Sequence, residues 1–210
     1  MKIIVTGVSK KIKKQHVLNN ITLEFRNGVF YGLYGRNGSG KTMLLRSVAG
    51  LLRPSAGKVE IDGKDIYSEN KFPPSIGVII ENTSLLPQYD AFTNLKLLSK
   101  IKKIATDEDI KSAIRRVGLN PDNKLKVRKF SLGMKQRLSI AQAIFEKPDI
   151  LLLDEPTNAI DENGVQEVYR IIQEEKERGA TIILTSHHKQ DLDILADEFI
   201  HMDHGEVIHE

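Results

Sequence analysis

Two short stretches of this 210-residue chain hold the residue types that phosphate chemistry needs. Gly35-Arg36-Asn37-Gly38-Ser39-Gly40-Lys41-Thr42 satisfies the pattern G-x-x-x-x-G-K-[ST]. Glycines let a backbone curl until consecutive N–H groups converge on phosphate oxygens, and a following helix adds the partial positive charge of its N-terminus. In that setting Lys41 reaches the β- and γ-phosphates of a nucleotide, and Thr42 offers its hydroxyl to Mg2+. The second stretch, Ile150-Leu151-Leu152-Leu153-Asp154-Glu155, ends an apolar run on two carboxylates. Asp154 is placed to hold the cation, directly or through water, and Glu155 to orient or deprotonate an attacking water. Each stretch alone has a plainer reading, a glycine turn that binds nothing and a solvated strand end. Together they point to nucleotide hydrolysis.

The elements that must position these residues are readable from periodicity. Residues 21–25 alternate with period two, Asn27-Gly28 supplies a hairpin turn, and residues 29–34 read as the next strand, running into the glycine-rich loop. A helix follows with Leu44, Leu45 and Val48 on one face, closed by Gly50. Residues 59–61 form a short strand ending at Asp62-Gly63, and residues 76–80 another. From about 93 to 143 the pattern is helical. Thr106-Asp107-Glu108-Asp109 resembles a capping box there, and Gly118 with Asn120-Pro121 ends that helix. Strands return at 150–153, 181–184 and 199–202, with a helix from about 161 to 178 between the first two. Continuous apolar strands alternating with helices indicate parallel strands covered on both faces. Ligands in such open sheets gather at the C-terminal ends of the strands.

Composition narrows the remaining classes. Thirty-one basic side chains against 28 acidic ones leave a net charge of +3. The clusters Lys10, Lys11, Lys13, Lys14 and Lys96, Lys100, Lys102, Lys103 therefore read as solvated faces, and no nucleic-acid partner is expected. The absence of cysteine excludes disulfides, thiolate metal sites and a cysteine nucleophile, and fits a reducing compartment. The apolar run after Met1 is too short for a signal peptide, and residues 150–153 fall far below the ~18 apolar residues of a membrane helix. The chain is expected to be soluble, so that any membrane role needs a partner.

Between the two phosphate-chemistry stretches lies Phe130-Ser131-Leu132-Gly133-Met134-Lys135-Gln136-Arg137. Ser131 can cap a helix beginning near Leu132, and Gly133 lets backbone approach closely, which makes a second anion site with its own helix dipole. After Asp154-Glu155-Pro156-Thr157 come Asn158-Ala159-Ile160-Asp161 and then Thr185-Ser186-His187. In this order the segments resemble the nucleotide-binding subunit of an ABC transporter, over nearly the whole chain. The segment at 130–137 is similar to that family's signature, the segment at 158–161 to its D-loop, and His187 to its switch histidine.

The resemblance implies an α/β fold: a P-loop NTPase core with an antiparallel β subdomain and a helical signature subdomain. One ATPase domain would span 1–210, with about 1–85 and 146–210 as a RecA-like core carrying the β subdomain and about 86–145 as the helical subdomain. It also implies that two copies, or this chain and a relative, pack head to tail around two ATP–Mg2+. Ser131 and Gly133 of each then close over the other's γ-phosphate, while residues 35–42 cradle the nucleotide. Thr42, Asp154 and residue 81 would hold the cation. Glu155 would activate the water, with His187 contacting the γ-phosphate. A separate polytopic membrane permease would be the partner, placing the chain at the cytoplasmic face of the membrane. Among the other histidines, His16 and His188 read as structural, and His201, His204 and His209 as a solvated tail strand rather than a metal site.

Three departures refine the reading. Glu81 stands after the 76–80 strand, in Ile80-Glu81-Asn82, where the family usually has glutamine. A carboxylate still suits a hard cation but lacks the amide's donor capacity. The signature has Leu132 and Met134 where glycine and glutamine are commoner. Both features resemble ATPases paired with bacitracin, lantibiotic or other peptide exporters and immunity transporters. That subgroup commonly carries an extra C-terminal region beyond the span of these 210 residues. Thirdly, the aromatic that the family stacks on adenine falls on Ile12, which predicts weaker or less base-selective nucleotide binding. Two rival readings stand beside this one. A non-transport ABC protein of ribosomes or DNA usually has two ATPase units or inserted coiled coil. The other is a different phosphate-loop enzyme, a GTPase or kinase; the guanine motif Asn-Lys-x-Asp does not appear, since Asn123-Lys124-Leu125-Lys126 lacks the Asp.

Overall fold

The computed structural model describes residues 1–68, 75–81, 84–187, 189 and 192–208. Four strands, β1 (Ile3–Ile12), β2 (Gln15–Phe25), β4 (Ala56–Ile61) and β5 (Lys64–Asp65), form an antiparallel sheet in the order β2-β1-β4-β5. Six others, β3 (Phe30–Tyr34), β6 (Ile76–Ile79), β7 (Ile150–Asp154), β8 (Thr181–Ser186), β9 (Glu198–Asp203) and β10 (Glu206–Ile208), form a second sheet in the order β10-β9-β3-β8-β7-β6. All of its pairings are parallel except β9 with β10. Five α-helices lie among the described residues: α1 (Lys41–Val48), α2 (Ala91–Lys102), α3 (Asp107–Arg116), α4 (Leu132–Ile144) and α5 (Glu162–Glu177). The fold is thus α/β with a parallel core, a separate antiparallel sheet and a helical segment running between β6 and β7.

Burial explains why β7 and β8 are central. Residues 150–153 and all six residues of β8 are buried, so both faces of each strand need cover. Successive residues of a strand point to opposite faces. Leu151 and Leu153 share a core with Leu138 and Ile144 of α4 and Ile171 of α5. Ile150 and Leu152 share the other with Leu44 and Leu45 of α1 and with Val5 and Ile61 of the antiparallel sheet. Each such fully buried Leu or Ile contributes about 1.5–3 kcal/mol. The same α4 crosses the edge strand closely. A Cβ at Gly77 would lie 2.0 Å from the Ala143 carbonyl oxygen, so only glycine allows that crossing.

Helix ends follow the expected chemistry. Asp90 caps α2 by accepting the Thr93 N–H, and Thr106 with Asp109 forms the reciprocal capping box of α3. Ser131 and Asp161 cap α4 and α5. Arg137 of α4 donates to the Val117 carbonyl at 3.0 Å and pairs with Glu167 of α5. Glu175 of α5, 2% exposed, accepts from Arg116 at 2.6 Å and from Arg178 at 2.8 Å. These ties fix the helical segment against α5.

The hairpin expected around Asn27-Gly28 does not form. The turn is there, with Gly28 at φ 71°, but β2 pairs with β1 while β3 pairs with β8 and β9 in the other sheet. Residues 30–33 are all buried, and a strand covered on both faces belongs in the middle of a sheet rather than beside a half-exposed partner. The two strands meet face to face instead. The Phe25 and Tyr31 rings lie edge-on at 4.9 Å and 88°. Strands β1, β5 and β10 leave no period in the sequence: β1 is broken by register shifts near Gly7, and β5 and β10 have two and three residues.

Candidate active site

Strand β3 delivers its last residue to the loop at 35–40, and the loop conformation is one that glycine makes accessible. Gly35, Gly38 and Gly40 have φ of 149°, 80° and 105°. A Cβ at Gly35 would sit 2.1 Å from the Met202 carbonyl oxygen, and one at Gly40 would sit 2.9 Å from that of Val17. The loop therefore rests directly on backbone from β2 and β9, and Gly205 N–H donates to Ser39 O at 2.9 Å from below. Arg36, Asn37 and Gly38 are exposed along its rim.

Of the five helices described, α1 has no side-chain cap and no acidic residue in its first turn, whereas α2 to α5 are each capped by a side chain. Its leading N–H groups are left for an anion from outside. Lys41, 5% exposed, donates to Gly35 O at 2.6 Å and Arg36 O at 3.2 Å, closing the loop into a ring around the ammonium. Burial pushes its pKa down, and the negative charges of Glu155 and Asp154 pull it back up. The Ser39 hydroxyl is buried without a partner among the described residues. A cradle, an uncapped helix and a buried cation together suit a nucleotide polyphosphate.

The carboxylates arrive from β7, whose register with β8 sets Asp154 opposite Thr185. Asp154 accepts from Thr42 Oγ1 at 2.8 Å and from Thr185 Oγ1 at 2.7 Å. Mg2+ is typically held by one or two carboxylates plus substrate phosphates, and Asp154 with the Thr42 hydroxyl is such a set of hard oxygen donors. Glu155 sits in the left-handed region at φ 48°, its N–H donating to Thr185 Oγ1 at 3.1 Å. Its carboxylate Oε1 is 2.8 Å from His187 Nε2, and Oε2 accepts from Asn158 Nδ2 at 2.7 Å. Lys41, Thr42, Asp154, Glu155 and His187 are thus drawn into one site. Sequence reasoning missed Thr185 and Asn158 as members. Their only signal was adjacency to motif residues, because strand register and turn geometry bring them in.

The remaining candidates lie around this centre. Glu81, at φ 55°, pairs with Arg46 of α1 at 2.7 Å. It still lines, with Gln136, Asp154, Glu155 and Asn158, an open cavity of about 380 Å3. Ser131 is exposed, and its hydroxyl accepts the Met134 N–H at 3.1 Å as the cap of α4. A Cβ at Gly133 would lie 3.1 Å from Ala159 O, so the close approach made there is to this chain's own turn. Ile12, 41% exposed, ends β1 and pairs with Gln15 across a turn through Lys13 at φ 53°. His201 stacks on Tyr34 at 4.7 Å, and His204 is exposed beside Asp203. Among the described residues no three His, Asp or Glu side chains gather as a metal site. His188, His209 and Asn82 lie outside the described residues.

A family model described as ABC transporter matches residues 18–158. An ABC transporter ATP-binding protein of Bacillus subtilis (strain 168), YybJ, is 62% identical over 203 residues, 97% of this chain and 93% of that protein. The bacitracin transport ATP-binding protein BcrA of Bacillus licheniformis is 37% identical over 98% of this chain, which spans 66% of BcrA. The lantibiotic transport ATP-binding protein SrtF of Streptococcus pyogenes is 34% identical, with 97% of this chain and 88% of SrtF covered. In fold, the chain is similar to MJ0796, a bacterial ABC transporter cassette solved as a dimer, with a TM-score of 0.88 at 24% identity and 99% and 97% of the two chains covered.

Proposed function

Since this chain belongs to the ABC transporter ATP-binding proteins, and is an ATP-binding ATPase cassette, we propose that it drives a separate membrane permease that exports a peptide or hydrophobic antibiotic, or gives immunity to it. What supports the cargo class is the similarity to BcrA and SrtF, whose names record bacitracin and lantibiotic transport. No helix among the described residues is long and apolar enough to cross a membrane. The chain would then act from the cytoplasmic face through that permease.

The observation that carries the chemistry is the joined pair Thr42–Asp154 and Glu155–His187 at the mouth of the phosphate loop. Loop N–H groups and Lys41 hold the β- and γ-phosphates. Thr42 and Asp154, with Glu81 nearby, hold Mg2+, which when bound spreads the charge of the phosphate oxygens. Glu155 takes the proton of the attacking water, and His187 fixes the γ-phosphate. In this reading a second ATPase subunit docks head to tail, and its Ser131 and Gly133 complete the site. Binding energy then enters as positioning and fixed charge rather than covalent chemistry, and nucleotide shifts the population between open and closed pairs.

The test is a pull-down from detergent-solubilised native membranes with tagged Glu155→Gln and ATP. A polytopic membrane protein in the eluate is expected. Ribosomes or only soluble partners would transfer the chain to the non-transport ABC reading.

Ile12 gives a second expectation. Base–aromatic stacking is worth about 1–3 kcal/mol, so Ile12→Tyr should tighten nucleotide binding by about 5- to 150-fold and sharpen the preference for ATP over GTP. A nucleotide titration in which both affinities stay unchanged would remove Ile12 from the base site.

A further inference from the structure

Both oxygens of the Glu155 carboxylate are already engaged, Oε1 by His187 and Oε2 by the Asn158 amide. The Glu155 backbone is held by its Thr185 contact, and its side chain is 22% exposed. Glu155 and Asn158 stand between two cavities. One is the 380 Å3 space shared with Glu81, Gln136 and Asp154. The other, about 170 Å3, is shared with Tyr169, Thr185, Ser186 and His187. A cavity needs about 10–15 Å3 on such a measure to hold one water, so both admit several. Without a second donor the carboxylate has room to swing into either.

Asn158 is not on a loose loop. Its N–H donates to Glu155 O at 3.2 Å, and the Ile160 N–H to Thr157 O at 3.2 Å. Gln136 of α4 donates to Pro156 O at 2.9 Å, and Ala159 O lies against Gly133 of the same helix. The amide is presented by a turn braced at both ends.

We propose that Asn158 is a positioning residue for the hydrolysis, an inference that rests on Glu155 being the base. Its amide N–H holds Oε2, so that Oε1 is the oxygen that serves water once His187 turns to the γ-phosphate. As the proton leaves the water for Oε1, the oxygen bonds to phosphorus and the bond to the ADP oxygen breaks; the proton departs afterwards with orthophosphate or to solvent. A hydrogen bond to a charged group is worth about tenfold to a hundredfold in rate if it acts only along this path.

The test is steady-state ATPase kinetics of the full chain carrying substitutions at 158. Asn158→Ala should lower kcat by about tenfold or more, with KM for ATP within about twofold. Asn158→Asp should lower kcat further, by about a hundredfold, because two acceptors then face each other. Asn158→His, which keeps an Nδ1–H in the same place, should recover most of the rate. Melting temperatures should stay level, since the bond is exposed. An Asn158→Asp enzyme with wild-type kcat, or a loss carried by KM, would overturn the proposal. Glu155→Gln separates the two levels. If that variant keeps only a residual turnover and the Asn158 substitutions add no further loss to it, the pair acts as a unit; a full further loss would overturn the proposal. If it hydrolyses at the wild-type rate, Glu155 is not the base and the role of Asn158 falls with it.

Discussion

Replacing Glu155 by Gln should stop turnover while leaving ATP bound. The change keeps the length and shape of the side chain, so the left-handed backbone and the Thr185 contact are undisturbed. An amide oxygen still accepts the Asn158 N–H, but no oxygen is left that can take a proton from water. A positioned general base contributes about 10²–10⁴-fold, and kcat is expected to fall by that amount. None of the residues proposed to hold phosphate, Lys41 and the loop at 35–42, is altered, so nucleotide affinity should be retained or raised in apparent terms as hydrolysis ceases. The ATP-bound pair of copies should then accumulate, visible as a larger species in size-exclusion chromatography with ATP. Orthophosphate release at the wild-type rate would take Glu155 out of the mechanism.

Replacing Lys41 by Ala should fail at the opposite stage. The ammonium is the buried centre of the loop, donating to two of the loop's own carbonyls. Its loss removes a fixed charge from the phosphate site and leaves Gly35 O and Arg36 O without their donor. Removing one such preorganised donor costs about 10²–10³-fold, and here the loss should appear in nucleotide binding as well as in kcat. Lys41→Arg should not restore it, because the bulkier planar group has no room where Lys41 is 5% exposed. A titration with fluorescent ATP decides the matter: Glu155→Gln binds, Lys41→Ala binds far more weakly. Equal binding by both variants would mean that the loop holds phosphate through its N–H groups alone.

The contrast between these two residues mirrors what the sequence could reveal. Lys41 is legible because glycines, lysine and threonine at fixed spacing have few alternative uses, and because the loop is continuous in sequence. The same holds for the capping box of α3 and for β7, where an unbroken apolar run needs two covered faces. Residues brought together by register are a different matter. Thr185 meets Asp154 only because β7 and β8 pair as they do, and Glu81 meets Arg46 across 35 positions of chain. Asn27-Gly28 is a strong local turn signal, yet the burial of residues 30–33 on both faces outweighed it. At Gly7 the period of β1 is interrupted by a register shift, so Ile3, Val5 and Val8 do not read as one face. Local chemistry survives in the string of letters; pairing partners do not.

The neighbours of β3 have a bearing on how the molecule is made. The first sheet joins β1, β2 and β4, which emerge within about sixty residues of one another, and can assemble early. Strand β3, which feeds the phosphate loop, finds both of its partners in β8 and β9. Those partners appear about 150 residues later, roughly 8–30 s at a translation rate of 5–20 residues per second. Throughout that interval an apolar strand with two open edges leaves the ribosome unpaired. A nascent chain halted anywhere between residues 42 and 181 therefore carries the full phosphate-loop sequence without the means to shape it, and such a product would meet chaperones before it could meet ATP.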